Sequence, residues 1–375
     1  MHILIAVLHR PSKPTGVCRH AANLARCLVD LDPVSQVTLV TGAWQKDYFE
    51  TAFALSSPKI KIVGIDIKNS SISRNLWFLF GLPKLVQQLN PNIVHLAFPL
   101  PFLRSRFSCP VVATIHDLYP YQFPENFGYQ QVLFNRLFLK QCIGNSDGLI
   151  CVSQVTLKDL EHYFPEVASQ RKKTSVIYNF VDFDQVEAKQ PKDLPNNFDT
   201  SYILSVGQHR KNKNFDLLIQ AYARLIDERQ LNRNTKLLIV GSSGPETDNL
   251  LHLIQELSLQ DSVLMLSAIA DNELCWLYQN CQLFVMPSAL EGFCLPLVEA
   301  LNFSCKVVCS DIPIFREVGS SGSTYFDLSG DAVKNLAQSI TQSLKSDTPK
   351  KSDVHSRFSK TAIAEQLLQF YSELI

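Results

Sequence analysis

The chain has 375 residues, of which 46% are hydrophobic and 19% charged, enough apolar surface for packed cores and too much for a disordered polymer. Its 35 basic and 35 acidic side chains cancel, so no net field recruits nucleic acid. At roughly 100–200 residues per domain, the length calls for two domains.

The first apolar run, Ile3 to Leu8, opens a series of short runs at Val37–Val40, Ile60–Ile65, Ile93–Phe98, Val111–Ile115, Leu149–Val152 and Ser175–Tyr178. Several are apolar at nearly every position, the pattern of strands buried on both faces of a parallel sheet. Between the first two lies Gly16–Val29, where Val17, Leu24 and Leu28 recur at helical spacing. The unit reads as βαβ and repeats into an α/β domain. The stretch from Asp184 to Thr200 is polar, carries two prolines and has no apolar period, so it reads as an interdomain linker. The alternation then restarts. Strands are expected at Tyr202–Val206, Lys236–Val240, Val263–Leu266, Leu283–Met286 and Lys306–Cys309. Helices are expected at Phe215–Asp227, Glu246–Leu257, Asn272–Asn280 and Pro296–Asn302.

The amino-terminal apolar run is too short for the core of a signal peptide, and no run approaches the ~20 apolar residues of a membrane span, so a soluble, cytoplasmic chain is expected. The ten cysteines are scattered without a C-x-x-C pair and read as reduced, buried thiols.

The segment with the most chemistry is Met286–Glu317. A strand ends at Met286 and a loop follows at its carboxyl end, where open α/β sheets bind ligands. Pro296 suits the first turn of a helix, and that helix end offers unpaired N–H groups and a positive dipole to a phosphate. Glu291 stands in the loop and Glu299 about a turn inside the helix. Upstream, VGQHRKNKNFDLLIQAY (206–222) is a strand end, a basic loop and an amphipathic helix; Arg210, Lys211 and Lys213 stand where cations would offset the charge of a departing diphosphate. In the first half, VVATIHDLYPYQFPENF (111–127) runs a strand into His116 and Asp117.

The Glu291/Glu299 layout resembles the E-x7-E motif of the family 4 retaining glycosyltransferases, with 206–222 similar to their glycine–basic–lysine element and Thr114–Asp117 similar to their T-I-H-D segment. Thr15–Gly16, Ser153, Asn179 and the closing segment FSKTAIAEQLLQFYSEL extend the resemblance over most of the chain. It implies the GT-B fold, an α/β architecture of two Rossmann-like domains facing each other across a cleft. Residues 1–184 would form the acceptor-side domain, 185–200 a linker, 201–354 the nucleotide-sugar domain, and 355–375 a helix crossing back.

By the same resemblance Glu299 binds the ribose and Glu291 lies by the donor sugar. Backbone N–H groups of Gly292, Phe293, Cys294 and Leu295 hold the sugar hydroxyls or diphosphate. Lys213 and Arg210 grip the phosphates, helped by Gly207 and Lys211, while His116 and Gly16 approach the donor. Gln208 occupies the family's usual arginine position, Cys294 its loop glycine, and Ser304 and Lys306 its glycine and proline.

The implied reaction retains anomeric configuration, with catalysis by positioning and charge stabilisation and no metal or cofactor. Asp182–Phe183–Asp184 is read as incidental rather than as a metal-binding D-x-D. The donor expected first is GDP-mannose and next a UDP-hexose, with a glycan or lipid-linked sugar as acceptor in polysaccharide biosynthesis. Two rival readings are a glycoside hydrolase using Glu291 and Glu299 as its carboxylate pair, and a non-catalytic sugar-nucleotide-binding protein. Leu76–Leu82 and Val132–Leu139, with Arg104, Arg106, Arg136 and Lys140 near in sequence, form either core or a patch for peripheral membrane contact at the inner face of the membrane.

Overall fold

The computed structural model describes residues 1–9, 15–53, 55–122, 124, 129–169, 172–183, 186–195, 198–267, 269–346 and 352–375. Asp184, the end of the 111–127 segment and part of the expected linker lie outside the described residues.

The chain forms two units: Met1–Phe180 with Lys360–Ile375, and Val181–Ser359. In the first, seven strands pair in parallel: β1 (His2–Ala6), β2 (Gln36–Gly42), β3 (Ile60–Ile65), β4 (Ile93–Leu96), β5 (Val111–Ile115), β6 (Gly148–Cys151) and β7 (Lys173–Val176), in the order β3-β2-β1-β4-β5-β6-β7. Strands β4, β5 and β6 are buried at every residue, which explains why they are apolar apart from His95 and Thr114. Successive residues of β1 face opposite cores. Ile3 and Ile5 pack with the helix Gly16–Leu28 and the last helix, Lys360–Ser372; Leu4 and Ala6 pack with Phe78, Leu82 and Leu139.

The second unit has six parallel strands: β8 (Tyr202–Val206), β9 (Lys236–Val240), β10 (Val263–Leu266), β11 (Leu283–Met286), β12 (Val307–Ser310) and β13 (Thr324–Phe326), in the order β10-β9-β8-β11-β12-β13. The order reverses between β8 and β11, so the loops leaving these two strands flank the switch point where such sheets bind ligands.

Three expectations are corrected. The described part of the linker segment 185–200 belongs to the second unit. Lys189 N–H donates to the Asn272 carbonyl (3.0 Å), and Lys192 N–H donates to Glu273 (3.2 Å). The strand expected at Ser175–Tyr178 begins two residues earlier, at Lys173. The chain returns to the first unit at Lys360, later than the boundary at 354/355, because the helix Val354–Arg357 packs against the helix Leu295–Asn302 of the second unit.

Candidate active site

In the second unit, β8 ends at Val206 and is followed by Gly207–Arg210, a 3-10 turn at Lys211–Lys213, and the helix Phe215–Asp227. β11 ends at Met286 and its loop runs to Cys294, ahead of the helix Leu295–Asn302. Side-chain amides sew the two loops together. Asn214 donates to the Pro287 carbonyl and Asn212 to the Leu290 carbonyl, both at 3.0 Å, while Ala289 N–H donates to the Asn212 carbonyl at 2.8 Å.

Across this seam the Lys213 ammonium is ion-paired to Glu291, with the two side chains only 13% and 12% exposed. Ser288 Oγ donates to the same Glu291 oxygen at 2.8 Å. Burial works against the Lys213 charge, but the Glu291 carboxylate outweighs it, and the lysine pKa lies above its ordinary value. The lysine expected to point at a diphosphate is therefore held by the glutamate expected beside the sugar. Gly207 makes room for it: a Cβ there would sit 3.2 Å from Lys213 Cε. Gly241, in the loop after β9, is packed so closely on Gly207 that any side chain would strike the Gly207 carbonyl.

Cys294 occupies φ +73°, the left-handed region that favours glycine, so the residue replacing the family glycine keeps the glycine conformation at a steric cost. Its thiol is buried, and burial followed by the nearby Glu291 pushes its pKa well up, so it stands as a neutral thiol beside the ion pair. Phe293 packs its ring edge-on to Phe358 at 5.4 Å. Leu295 is partly buried at the helix start and Gly292 partly buried in the loop.

Glu299 is 4% exposed, and its Oε2 accepts a hydrogen bond from Tyr278 OH at 2.8 Å. Tyr278 is buried and stacks on Phe303 at 5.6 Å. Arg210 and Lys211 are exposed, and Arg210 Nε donates to Gln208 Oε1 at 2.7 Å. Gln208, in place of the family arginine, thus tethers the arginine two residues on. His209 is buried, with Nδ1 against Thr247 Oγ1 at 3.0 Å and Nε2 without a hydrogen-bond partner among the described residues.

The first unit carries a polar chain through its core. Asn179 Oδ1 can only accept, so His20 Nδ1 donates to it (2.5 Å). His20 Nε2 then accepts from Thr114 (3.3 Å), whose oxygen accepts from His95 Nε2 (2.7 Å), and His95 Nδ1 accepts from Tyr371 OH (2.5 Å). Each step fixes the next, and both histidines are neutral. His116 lies beside His20, with ring centroids 4.7 Å apart and edge to face, and its Nε2 donates to the Ala97 carbonyl at 2.8 Å. Burial lowers the pKa of all three histidines, that of His95 to about 3. A neutral His116 donating through Nε2 presents Nδ1 as an acceptor.

Asp117 is exposed and accepts from Tyr119 N–H, as a turn cap does. Ser153 caps its helix through Thr156 N–H. Gly16 lies exposed in the first turn of its helix, with open space where a Cβ would go; the five residues 10–14 before Thr15 lie outside the described residues. The structure therefore brings Gly207, Lys213, Glu291, Cys294 and Glu299 together in one unit, with Arg210 and Lys211 at its surface and His116 and Gly16 in the other. Sequence reading did not single out Tyr278, Asn212, Asn214, Ser288, His20 and His95; the amides had a signal in their place beside the basic turn, the rest had none.

The chain matches two family models. One, described as Glycosyltransferase Family 4, covers residues 14–185, and one, described as Glycosyl transferases group 1, covers residues 186–364. The chain belongs to glycosyltransferase family 4. The family member described here is 28% identical over 334 residues to the O-antigen chain mannosyltransferase RfbU of Salmonella typhimurium, covering 86% of this chain and 88% of that one. It is 36% identical over 179 residues, 48% of this chain and 45% of the other, to a Campylobacter jejuni enzyme. That enzyme is named N-acetylgalactosamine-N,N'-diacetylbacillosaminyl-diphospho-undecaprenol 4-alpha-N-acetylgalactosaminyltransferase. Its GT-B fold matches Anabaena HepE, solved with UDP and glucose, at a TM-score of 0.71 and 18% identity over the whole of both chains. It is a glycosyltransferase, and its two parallel sheets with flanking helices are the GT-B arrangement.

Proposed function

We propose that this family 4 enzyme transfers mannose, with retention, from GDP-mannose to a growing glycan or lipid-linked sugar in polysaccharide biosynthesis. The observation that carries the reading is the part-buried Lys213–Glu291 pair at the β8/β11 switch point, beside the start of the helix that holds Glu299. A cation, a sugar-facing carboxylate, backbone N–H groups at a helix start and a ribose-binding carboxylate suit the parts of a nucleotide sugar in turn. The O-antigen mannosyltransferase relative supports mannose and a glycan acceptor, the diphospho-undecaprenol name of the second relative supports a lipid-linked one, and the UDP-bound HepE supports a nucleotide donor.

In this reading the donor diphosphate draws Lys213 from Glu291, with Arg210 and Lys211 adding charge at the surface. Glu291, released, accepts from sugar hydroxyls. Glu299, held by Tyr278, accepts from the ribose. The N–H groups of Gly292–Leu295 meet the sugar and diphosphate. As the bond to the diphosphate breaks, Lys213 and Arg210 offset the leaving charge, and a donor phosphate oxygen takes the acceptor's proton. No step calls on a metal or cofactor. Hydrolysis by Glu291 and Glu299 is disfavoured because Glu291 is already neutralised by a buried lysine.

The test is product formation from a panel of GDP-, UDP- and ADP-sugars with a lipid-linked acceptor. GDP-mannose turnover is expected; cleavage of a simple glycoside without nucleotide would overturn the reading.

The acceptor side of the proposal includes the cytoplasmic membrane face. Ile72, Leu76 and Phe80 are 74%, 51% and 47% exposed at four-residue spacing. The Arg106 guanidinium lies over the Phe80 ring at 4.6 Å, and Phe102 N–H donates to Gln141, joining the segments that carry exposed Leu103, Leu133, Phe134 and Leu137. Apolar side chains among exposed Arg106 and Lys140 suit an anionic bilayer surface. The protein is expected to sediment with anionic vesicles at low salt and to lose most of that binding in Phe80→Ser/Phe134→Ser. Equal sedimentation of the variant would remove this part of the proposal. Among the described residues no helix is long and apolar enough to cross a membrane.

A further inference from the structure

At the amino ends of the second unit's strands, remote in the sheet from the loops after β8 and β11, a cavity of about 540 Å³ is walled by the residues that enter β8, β9, β11 and β12: Ser201, Thr235, Gln282 and Lys306. Cys281 and Cys305 also line it. Their sulfurs are 3.7 Å apart, in van der Waals contact, although the residues are 24 positions apart in the chain. Cys305 is buried and Cys281 half-buried, so a reagent entering the cavity reaches Cys281.

Both thiols donate to one acceptor, the Tyr278 carbonyl, at 3.4 and 3.2 Å. That carbonyl belongs to the last turn of the helix Asp271–Asn280, whose final C=O groups have no partner within the helix. The backbone N–H that would continue the helix to it, at Gln282, instead donates to Tyr202. The same Tyr278 holds Glu299 through its hydroxyl and stacks on Phe303. The thiol pair and the carboxylate thus meet in one buried tyrosine.

We propose that Cys281 and Cys305 are a thiol-modification site that reacts with a low-molecular-weight disulfide and closes to an internal disulfide, weakening the hold of Glu299 on the donor. Deprotonated Cys281 attacks the reagent RSSR, the S–S bond breaks, and a mixed disulfide forms as one RSH leaves with the proton. Cys305 Sγ then attacks Cys281 Sγ, the mixed disulfide breaks, and the second RSH leaves. The protein dithiol loses two electrons and two protons, and RSSR gains both. Closure brings the sulfurs from 3.7 Å to about 2.05 Å and draws the end of the helix toward the start of β12. It also removes both S–H donors from the Tyr278 carbonyl, so the residue that orients Glu299 moves or loses its anchor. The effect on the donor rests on Glu299 binding nucleotide; formation of the disulfide does not.

The experiment treats the reduced full chain with oxidised glutathione, locates disulfides by peptide mass mapping, and titrates GDP and UDP into both forms. The expected result is a Cys281–Cys305 bond, a roughly tenfold weaker nucleotide affinity, and recovery on reduction with dithiothreitol. Cys281→Ser, which keeps a donor toward the Tyr278 carbonyl, is expected to bind nucleotide normally and to be indifferent to the reagent. A glutathione adduct on Cys281 that never closes, or a disulfide that leaves affinity unchanged, would overturn the proposal. Reduced protein that binds no nucleotide while the disulfide still forms would instead sink the donor-site reading and leave the thiol assignment standing.

Discussion

Replacing Lys213 by methionine is expected to lower kcat/KM by about 10²–10³-fold, the scale of removing one preorganised charge-stabilising group from a transition state. The same change removes the cationic partner of Glu291, which is 12% exposed, so a carboxylate is left largely buried with the Ser288 hydroxyl donating to it and no opposite charge. Breaking such a pair on one side costs about 3–5 kcal/mol. The two consequences separate in the double variant Lys213→Met/Glu291→Gln. Removing both charges restores most of the stability, read as the urea midpoint, while activity stays low because the diphosphate still lacks its cation. A double variant that recovered activity with stability would mean that Lys213 serves only to neutralise Glu291. Lys213→Arg is not a rescue: the ammonium is fitted over Gly207, where only 3.2 Å separates the lysine stem from a Cβ position, and the guanidinium fork is wider.

Acid weakens the first unit through its neutral histidines. The pKa of His95 falls from 6.5 in the unfolded chain to about 3 in the fold because the ring is buried, with neighbouring His116 adding to the fall. Between those values the unfolded chain binds a proton that the folded one does not. Stability is therefore full above about pH 6.5 and declines as the pH falls, continuing toward pH 3. At about 1.36 kcal/mol per unit, pH 5 costs His95 alone about 2 kcal/mol. His20 and His116 add in the same direction, since burial depresses both. Urea denaturation across pH 7 to 5 measures the slope. His95→Gln, which cannot take the proton, is expected to flatten it by roughly one proton's worth; an unchanged slope would show that His95 does not carry the effect.

The reach of the sequence follows from how local each signal is. Strands such as β4 and β5 were legible because burial on both faces makes nearly every residue apolar, His95 and Thr114 being the exceptions that pair with each other. β13 was not, because three residues, Thr324–Phe326, at a sheet edge make no period. The E-x7-E segment is legible because loop, glycine, proline and helix stand in one short run. The pairing of Glu291 with Lys213 is not, since 78 residues separate them and only the adjacency of β8 and β11 joins their loops. For the same reason the first unit's chain stayed hidden: His20, His95, Thr114, Asn179 and Tyr371 come from five places and meet only once the sheet is assembled and the last helix packs on it. The tail resembled the family's last helix, yet nothing in it announced that Tyr371 would cap a buried histidine. Reading residues 185–200 as a linker failed because polarity reports exposure, whereas backbone hydrogen bonds to Asn272 and Glu273 decide attachment.

The proposed function puts a nucleotide diphosphate on the second unit at the β8/β11 switch, with its ribose on Glu299. Calorimetric titration of GDP, UDP and ADP into the wild type and Glu299→Ala tests it most directly. GDP is expected to bind best, and the alanine variant to lose it by at least about tenfold, the loss of a charge-assisted hydrogen bond being roughly 1.5–3 kcal/mol. Equal affinity of wild type and variant for every nucleotide would contradict it.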